Sequence, residues 1–348
     1  MRSGHFKQKF EDLVVLTDSV SVKAWSAALF VALCLLPVVA GPFLLAHMTT
    51  ILIIMIGALG LNVLTGMTGL ISLGHVAFLM IGAYAYAIGI GRFGLAPLLA
   101  LGLAGVVPAL AGLLVGVPSL RLKGLYLAIT TLAFVFITNS VILAGGDFTR
   151  GSKGLPISRP VILGWDLKPD SSLYWFCLLI SVLVLGACLN LRRTYAGRAM
   201  MAIRDNDIAA RSMGINLMRY KLLAFVISAF ITGISGALLA FYIGIVSVEG
   251  FPFLLSIEAL AILIVGGMGS ILGVVFGAVF IVSLPELVSV AFELVGGNWV
   301  DAMATRMHEV KSMLYGVAII AFLRLDPRGL LGIWKDIRHF WVNWPLRY

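Results

Sequence analysis

Long apolar runs dominate this chain, and charged residues are confined to the short segments between them. The stretch from Ala24 to Gly91 contains no Asp, Glu, Lys or Arg. Because a helix of about 20 apolar residues crosses a bilayer, this stretch alone is long enough for about three crossings. The pattern predicts an all-α membrane protein, a polytopic helical bundle of about ten transmembrane helices. The predicted spans are 24–41, 43–63, 75–91, 95–117, 125–144, 173–191, 221–245, 253–268, 271–290 and 307–323.

Two glycine-rich segments interrupt the apolar runs. The first is GLNVLTGMTGLISLGHVAF at Gly60–Phe78, which also carries amide, hydroxyl and imidazole groups, and the second is GGMGSILG at Gly266–Gly273. Unwound backbone at membrane depth is tolerated only where it is buried in protein or lines a water-filled path. Both segments are therefore predicted to break helices, and their positions hint at an internal repeat. Close helix packing through small residues is the alternative interpretation.

Composition and charge add an orientation. Apolar residues make up 61% of the chain and charged residues 12%, against roughly 45–50% and 25% in soluble domains. With both termini inside, 18 of the 25 Lys and Arg residues lie on the cytoplasmic side, as the positive-inside rule requires. The net charge of +9 is interpreted as orientation and contact with anionic membrane lipid, so no nucleic acid is expected as a partner.

The predicted domain organisation follows from this topology. A cytoplasmic segment 1–23 precedes a transmembrane domain 24–323, and a cytoplasmic tail 324–348 follows it. The longest connections are an outer loop at 145–172 and an inner loop at 192–219.

The sequence offers no enzyme site. The three cysteines fall in predicted spans without metal-type spacing and are interpreted as core residues. The segment Gly146–Lys153 has the glycine spacing of a phosphate-binding loop, but its Ser and Lys stand in the wrong order and no strand precedes it. No catalytic residue, metal site or cofactor is predicted. The chain is therefore expected to move something or to anchor something.

The inner loop is patterned as two short amphipathic helices. Arg198–Arg204 and Ile208–Met213 are the predicted helical stretches, with Asp205, Asn206 and Asp207 offering N-cap side chains and Gly214 as a left-handed terminator. Such a pair fits the grip of another protein, and it equally fits an interfacial helix on anionic lipid. The pattern alone leaves both interpretations open.

Four segments, taken in order, resemble one family. They are GLNVLTGMTGLISLGHVAFLMIGAY, RLKGLYLAITTLAFVFI, GRAMMAIRDNDIAARSMGINLMRYKLLAFVISAFITGISGAL and SIEALAILIVGGMGSILGVVFGA. Together they are similar to the M-type permease subunit of the bacterial ABC importers for branched-chain amino acids, over about Leu52 to Pro285. Four long motifs in the same order are far more specific than any one of them.

The resemblance implies partners and a location. The expected partners are a second, H-type permease subunit, two cytoplasmic ABC ATPase subunits, a periplasmic substrate-binding protein and membrane lipid. The chain itself is expected to carry no ATPase site and to lie in the bacterial inner membrane. Because the receptor normally sets selectivity in such systems, the solute is left open among branched-chain amino acids and related small solutes.

The resemblance also assigns roles to the inner loop and supports a role for the breaks. The loop is expected to carry the coupling helix that docks on the ATPase, which favours docking over lipid contact. The expected ATPase-coupling residues are Gly197, Arg198, Ile203, Arg204, Asp205, Asn206, Ile208, Ala209 and Gly214. Because broken helices mark transport sites, the expected translocation-path residues are Asn62, Gly66, Gly69, Ser72, Gly74, His75, Glu258, Gly266, Gly267 and Gly269.

Isolated ionisable residues in the spans have two interpretations each. His75 begins a predicted span, where a polar cap or helix packing is at least as reasonable as solute contact. Glu258 and Glu286 lie near the outer ends of their spans, where each carboxylate faces a vestibule or subunit, or is simply solvated at the interface. A secondary transporter or a passive channel remains the alternative function. In the outer loop, Arg150 and Lys153 are expected to meet complementary charges on the receptor.

Overall fold

The computed structural model describes residues 20–119, 122, 124–162, 164–295, 307–326 and 328–343. The predicted segment 1–23 therefore lies almost wholly outside the described residues, as do Arg121, Lys123 and Arg306. The described part is an all-α bundle, which confirms the predicted fold class. Its helices are α1 (Val20–Val39), α2 (Pro42–Leu61), α3 (His75–Gly91), α4 (Pro97–Ser119), α5 (Leu125–Ala144), α6 (Asp170–Arg193), α7 (Tyr195–Asp205), α8 (Asp207–Ser212), α9 (Leu217–Ile243), α10 (Leu254–Gly266), α11 (Ile271–Val295), α12 (Met307–Leu325) and α13 (Gly329–Asn343).

Seven helical segments in the described residues are long and apolar enough to cross a membrane. Three shorter apolar helices, Ala27–Val39, His75–Gly91 and Ser312–Arg324, coincide with further predicted spans. The count of ten spans therefore stays a prediction, although each predicted span has a helix at its position. The exposed surface of the bundle is rich in large apolar side chains such as Leu114 and Phe136, as expected for a lipid-facing surface.

Helix α9 lies at the centre of the bundle, packed against α2, α3 and α4. Small residues allow this close approach, because α9 carries Gly233 and Gly236 on its packed faces. A Cβ at Gly236 would overlap the main-chain carbonyl of Leu79 on α3. This is packing by small residues of the kind that membrane helices use in place of a hydrophobic driving force.

The two ends of the bundle are distinguished by their loops. We call the end that carries α7 and α8 the inner end, following the orientation that the bases predict. Helix α6 has 24 residues and so places the Gly145–Asp170 loop about 36 Å away, at the outer end. There β1 (Leu155–Pro156) pairs antiparallel with β4 (Ile245–Val246), and β2 (Val161–Ile162) pairs with β3 (Trp165–Asp166). At the inner end, α13 packs against α10 and α11.

Candidate functional site

The first glycine-rich segment leaves the regular helix in two steps. Helix α2 continues into a π-turn at Asn62–Gly66, and a non-helical stretch then runs from Gly69 to Gly74. Gly69 adopts φ +72°, a conformation that is easy for glycine alone. We call Asn62–Gly74 the first break. Single π-turns inside helices are frequent at functional sites, and the predicted break in this segment is confirmed.

The second break, Gly267–Ser270, separates α10 from α11 and has two glycines at positive φ, Gly267 at +107° and Gly269 at +80°. It packs directly against the first break. The backbone N–H of Gly269 donates to Oδ1 of Asn62 at 3.1 Å. A Cβ at Gly66 would lie 2.6 Å from that same Gly269 nitrogen and would overlap Asn62 Oδ1. The two segments, 207 residues apart in sequence, therefore pack so closely that no side chain fits at Gly66.

Arg204 joins this contact from the inner loop. Its Nη1 donates to the carbonyl oxygen of Gly66 at 2.9 Å, while its Nε and Nη2 donate to Oδ1 of the neighbouring Asp205 at 3.1 and 3.0 Å. A Cβ at Gly269 would overlap Arg204 Nη1. We call Asn62, Gly66, Gly69, Arg204 and Gly269 the break junction. The structure thus brings one predicted coupling residue together with four predicted path residues.

Helix α7 is attached to its own chain. Gly197, Ala199, Met200 and Ile203 are buried in this structure, with Ile203 only 3% exposed. The expectation that Ile203 forms part of an apolar face docked on an ATPase therefore differs from the structure, because Ile203 already faces the permease core. The amphipathic pattern was correct, but the surface that covers its apolar side belongs to the same chain.

Helix α8 is presented outward instead. Ile208 is 74% exposed, and Met213 just after the helix is 82% exposed. Asn206 caps α8 by accepting from the N–H groups of Ile208 and Ala209, both at 3.0 Å. Gly214 follows at φ +83°, so the predicted N-cap and left-handed terminator are both confirmed. The other predicted coupling residues are exposed: Arg198, Arg204, Asp205, Asn206, Ile208, Ala209 and Gly214.

The end of the first break is held by helix packing. Thr131 of α5 accepts from the backbone N–H of Leu73 at 3.0 Å, and the hydroxyl of Ser72 accepts from the N–H of Gly74 at 3.2 Å. His75 is 4% exposed and lies near the hydroxyl of Thr232 on α9, with Nδ1 to Oγ1 at 3.5 Å. His75 therefore lies in a packed polar interface between helices, and its contact with the solute stays a prediction.

Glu258 faces a different feature, a cavity of about 460 Å³ near the outer end. Its lining combines α2, α9, α10, α11 and α12, and its polar residues include His47, Glu258, Glu286 and Tyr315. Tyr315 hydrogen-bonds the Glu258 side chain, which is 7% exposed. His47 Nε2 lies 3.0 Å from the hydroxyl of Ser283. Among the predicted path residues that the structure describes, Glu258 alone lines this cavity.

The C-terminal helix α13 contacts the second break from the inner end. The carbonyl oxygen of Arg328 and the backbone of Gly329, at φ +66°, approach Gly267 so closely that no Cβ fits at either glycine. Arg328 pairs with Asp326 at 3.2 Å and with Asp336 at 2.6 Å. The backbone N–H and then the side chain of Arg328 hold the pKa of the Asp326 carboxyl below its usual range, and Asp326 in turn raises the pKa of Arg328.

Sequence reasoning missed the tertiary partners of both sites. Tyr315 and His47 carried no local signal, because isolated Tyr and His residues in spans are common packing residues. The Arg328–Gly329 contact with the second break was equally invisible. The signal that could have indicated this contact is the presence of glycine at positions 267 and 329, since glycine permits a close approach of two backbone segments.

Comparison with known proteins gives a family. Residues 43–323 match the model of the branched-chain amino acid transport system permease component. The chain is 40% identical over 334 residues to the high-affinity branched-chain amino acid transport system permease protein LivM of Salmonella typhimurium, covering 87% of this chain and 74% of that protein. It is 39% identical to Escherichia coli LivM at the same coverage. A probable branched-chain amino acid transport permease protein LivH of Methanocaldococcus jannaschii is 27% identical, over 81% of this chain and 89% of that one.

No solved structure matches this chain significantly. The family model covers most of the bundle, from the first turn of α2 to α12, and includes both breaks, the inner loop and the outer-end cavity. The family suggested by the four motifs is confirmed. The chain belongs to the permease-component family of branched-chain amino acid transport systems.

Proposed function

We propose that this chain is the membrane-spanning permease subunit of an ATP-driven importer for branched-chain amino acids. The observation that carries the proposal is its 40% identity to the LivM permease of Salmonella typhimurium over 87% of the chain. The chain supplies the solute path, and partner subunits hydrolyse ATP. The chain is also 29% identical, over 66% of its length, to the autoinducer 2 permease LsrC of Enterobacter. The informative test therefore compares the transport of leucine with that of a solute that is not an amino acid.

Helix α8 is the proposed contact for the cytoplasmic ATPases. Its Ile208 and the neighbouring Met213 are large apolar side chains that the described residues leave exposed. The Asn206 cap fixes the start of α8, and the buried residues of the preceding helix α7 anchor the inner loop to the bundle. A contact helix that is held firmly to the bundle can transmit movement between subunits, because a loosely attached helix would absorb that movement.

The second permease subunit and the external receptor complete the proposed importer. The similarity of this chain to a protein named LivH supports pairing between two related permeases. At the outer end, Arg150 and Lys153 are exposed in the Gly145–Asp170 loop. We keep them as the proposed receptor contact, in which complementary charge accelerates association.

The outer-end cavity is the proposed entrance to the path. Its volume of about 460 Å³ lies in the range of small-molecule sites, and Glu258 and Glu286 could face the ammonium group of an amino acid. The Glu258→Gln variant should transport leucine more slowly, whereas Glu249→Gln, at an exposed position of the outer end, should not. Equal leucine uptake by both variants would remove Glu258 from the path. The role of the two breaks in lining the path stays a prediction.

The experiment that tests the function uses the complete complex. The chain is co-expressed with its second permease and ATPases, reconstituted in proteoliposomes, and supplied with receptor and labelled leucine. We expect leucine uptake only when ATP is present on the side of the membrane where the ATPases lie. Isoleucine and valine should compete with leucine and reduce its uptake. Uptake without ATP would favour the channel or secondary-transporter alternative, and competition by autoinducer 2 but not by isoleucine would reassign the solute.

A further inference from the structure

Arg204 connects three segments that are far apart in sequence: the inner loop, the first break and the second break. Its guanidinium donates to the Gly66 carbonyl, its stem lies against Gly69, and its Nη1 occupies the space where a Gly269 side chain would begin. The side chain is 36% exposed while that of Asp205 is 68% exposed. Arg204 therefore lies against the two breaks at the surface of the inner end, and Asp205 is the more exposed of the two residues.

The contact with Gly66 has a physical reason. The helix that contains the π-turn ends shortly after Gly66, so its last carbonyls lack partners from a following helical turn. These carbonyls carry the negative end of the helix dipole, where a cation is stabilising. A guanidinium is well suited to the position because its several N–H groups can bond two acceptors at once. Arg204 uses one group for Gly66 and two for Asp205.

Asp205 orients the guanidinium for this contact. It accepts from Nε and Nη2 on one edge, which leaves Nη1 to point at Gly66. Glycine is needed on the receiving side, since a Cβ at Gly66 or Gly269 would collide with the junction and one at Gly69 would lie 3.2 Å from Arg204 Cγ. Because Arg204 is packed this closely against Gly66, Gly69 and Gly269, a movement of α7 should also move both breaks.

We propose that Arg204 is a positioning residue that transmits movement of the inner loop to both helix breaks. The first break receives the movement through the Gly66 carbonyl. The second receives it through Gly269, which lies against Arg204 and is bonded to Asn62. The proposal rests on the proposed function, because the movement originates in ATPases docked on α8. It assigns Arg204 to coupling inside the permease and not to direct contact with the ATPase.

The first test compares Arg204→Met, Arg204→Lys and the control Arg219→Met, at an exposed base in the first turn of α9. Each variant is expressed with its partner subunits, and three quantities are measured: ATPases recovered with the permease, receptor-stimulated ATP hydrolysis, and leucine taken up per ATP. Arg204→Met should keep its ATPases and its hydrolysis. Its leucine uptake per ATP should fall roughly tenfold or more, the factor expected for a lost charge-assisted hydrogen bond.

The conservative variant and the control give the result its meaning. Arg204→Lys keeps the charge but has one compact donor group, so it should recover part of the uptake per ATP. Arg219→Met should match the unmodified complex. An Arg204→Met complex with normal uptake per ATP would overturn the proposal, and so would one that had lost its ATPases, because Arg204 would then be a docking residue. Absence of leucine uptake by the unmodified complex would refute the proposed function instead.

A covalent substitute for the contact provides a second test that does not depend on the methionine variant folding. A Cβ at Gly69 would lie 3.7 Å from Arg204 Cβ, close to the separation of about 3.8 Å in disulfides. In a background with the native cysteines replaced by serine, Arg204→Cys alone should be uncoupled. Oxidised Gly69→Cys/Arg204→Cys should regain uptake per ATP and lose it again with reductant. If the formed disulfide blocks transport that its reduced form supports, the loop and break separate during the cycle and the proposal fails.

Discussion

The two short helices of the inner loop, α7 and α8, are neighbours in sequence and opposites in environment. Four of the 11 residues of α7 are buried, including Met200 and Ile203, whereas Ala210 is the buried residue of α8. Both helices begin at a side-chain N-cap, Thr194 for α7 and Asn206 for α8. The difference teaches that one loop can combine a helix fixed in the permease with an exposed helix that can contact a partner. We call α7 the root and α8 the tip of the inner loop.

The largest effect is expected where the root is made polar. Ile203→Asp places a carboxylate at a site that is 3% exposed, which should destabilise the fold by about 3 kcal/mol or more. Yield and thermal stability of the purified permease are the measurements. Ile203→Val, which removes one methylene, should cost about 0.5–1.5 kcal/mol. A stable Ile203→Asp permease would show that α7 is not rooted as described.

The matching change in the tip should separate assembly from folding. Ile208→Asp alters a side chain that is 74% exposed, so the stability of the isolated permease should change by no more than about 0.5 kcal/mol. If α8 is the ATPase contact, the buried charge should weaken association by about 2 kcal/mol or more, roughly 30-fold. Co-purification of the ATPases from detergent measures this. Full recovery of ATPases with Ile208→Asp would favour a lipid-surface role for α8.

Glycine substitutions provide a second matched pair. Gly197→Ala would place a Cβ into the main-chain carbonyl of Leu191, and because backbone cannot move aside cheaply the expected cost is about 1–3 kcal/mol. Gly214 has open space around its Cα, so Gly214→Ala should show only the strain of its φ of +83°, about 1 kcal/mol. Thermal unfolding of both variants tests the order. A larger loss of thermal stability for Gly214→Ala than for Gly197→Ala would contradict the close packing of α7.

The caps provide the smallest and most local comparison. Asn206→Ala removes the acceptor for Ile208 and Ala209, and a lost N-cap costs about 1 kcal/mol of helix stability. Because α8 has little burial to hold it, hydrogen exchange of its amides should rise clearly. Thr194→Ala removes one cap bond at 3.2 Å from a helix that packing also holds, so exchange in α7 should change less. Equal changes in both helices would weaken the distinction between root and tip.

Much of this architecture could be predicted from local pattern. The helices fall where apolar runs predict them, and two of them, His75–Gly91 and Leu125–Ala144, have the predicted bounds. The breaks, the Asn206 cap and the Gly214 terminator were also predictable, because each depends on the conformational preferences of a few adjacent residues. The orientation of the termini and the roles of the coupling and path residues stay predictions.

The side-chain environments were less predictable. Periodicity indicates that one face of α7 is covered, but a covered face looks the same whether the cover is another subunit or the chain itself. Ile203 was assigned to a partner for that reason, and the structure covers it with the permease. Arg204 was expected to contact the ATPase, and its hydrogen bond to Gly66 depends on a residue 138 positions away.

The sequence by itself determined the membrane class, the all-α bundle, the two breaks and the shape of the inner loop, since these follow from hydrophobic transfer and from short-range backbone preferences. Tertiary structure alone decided that the two breaks meet, that Arg204 bonds one of them and borders the other, and that Glu258 shares a cavity with His47 and Tyr315. These contacts join residues from different helices. Their physical cause is the relative placement of packed helices, which no local stretch of sequence specifies.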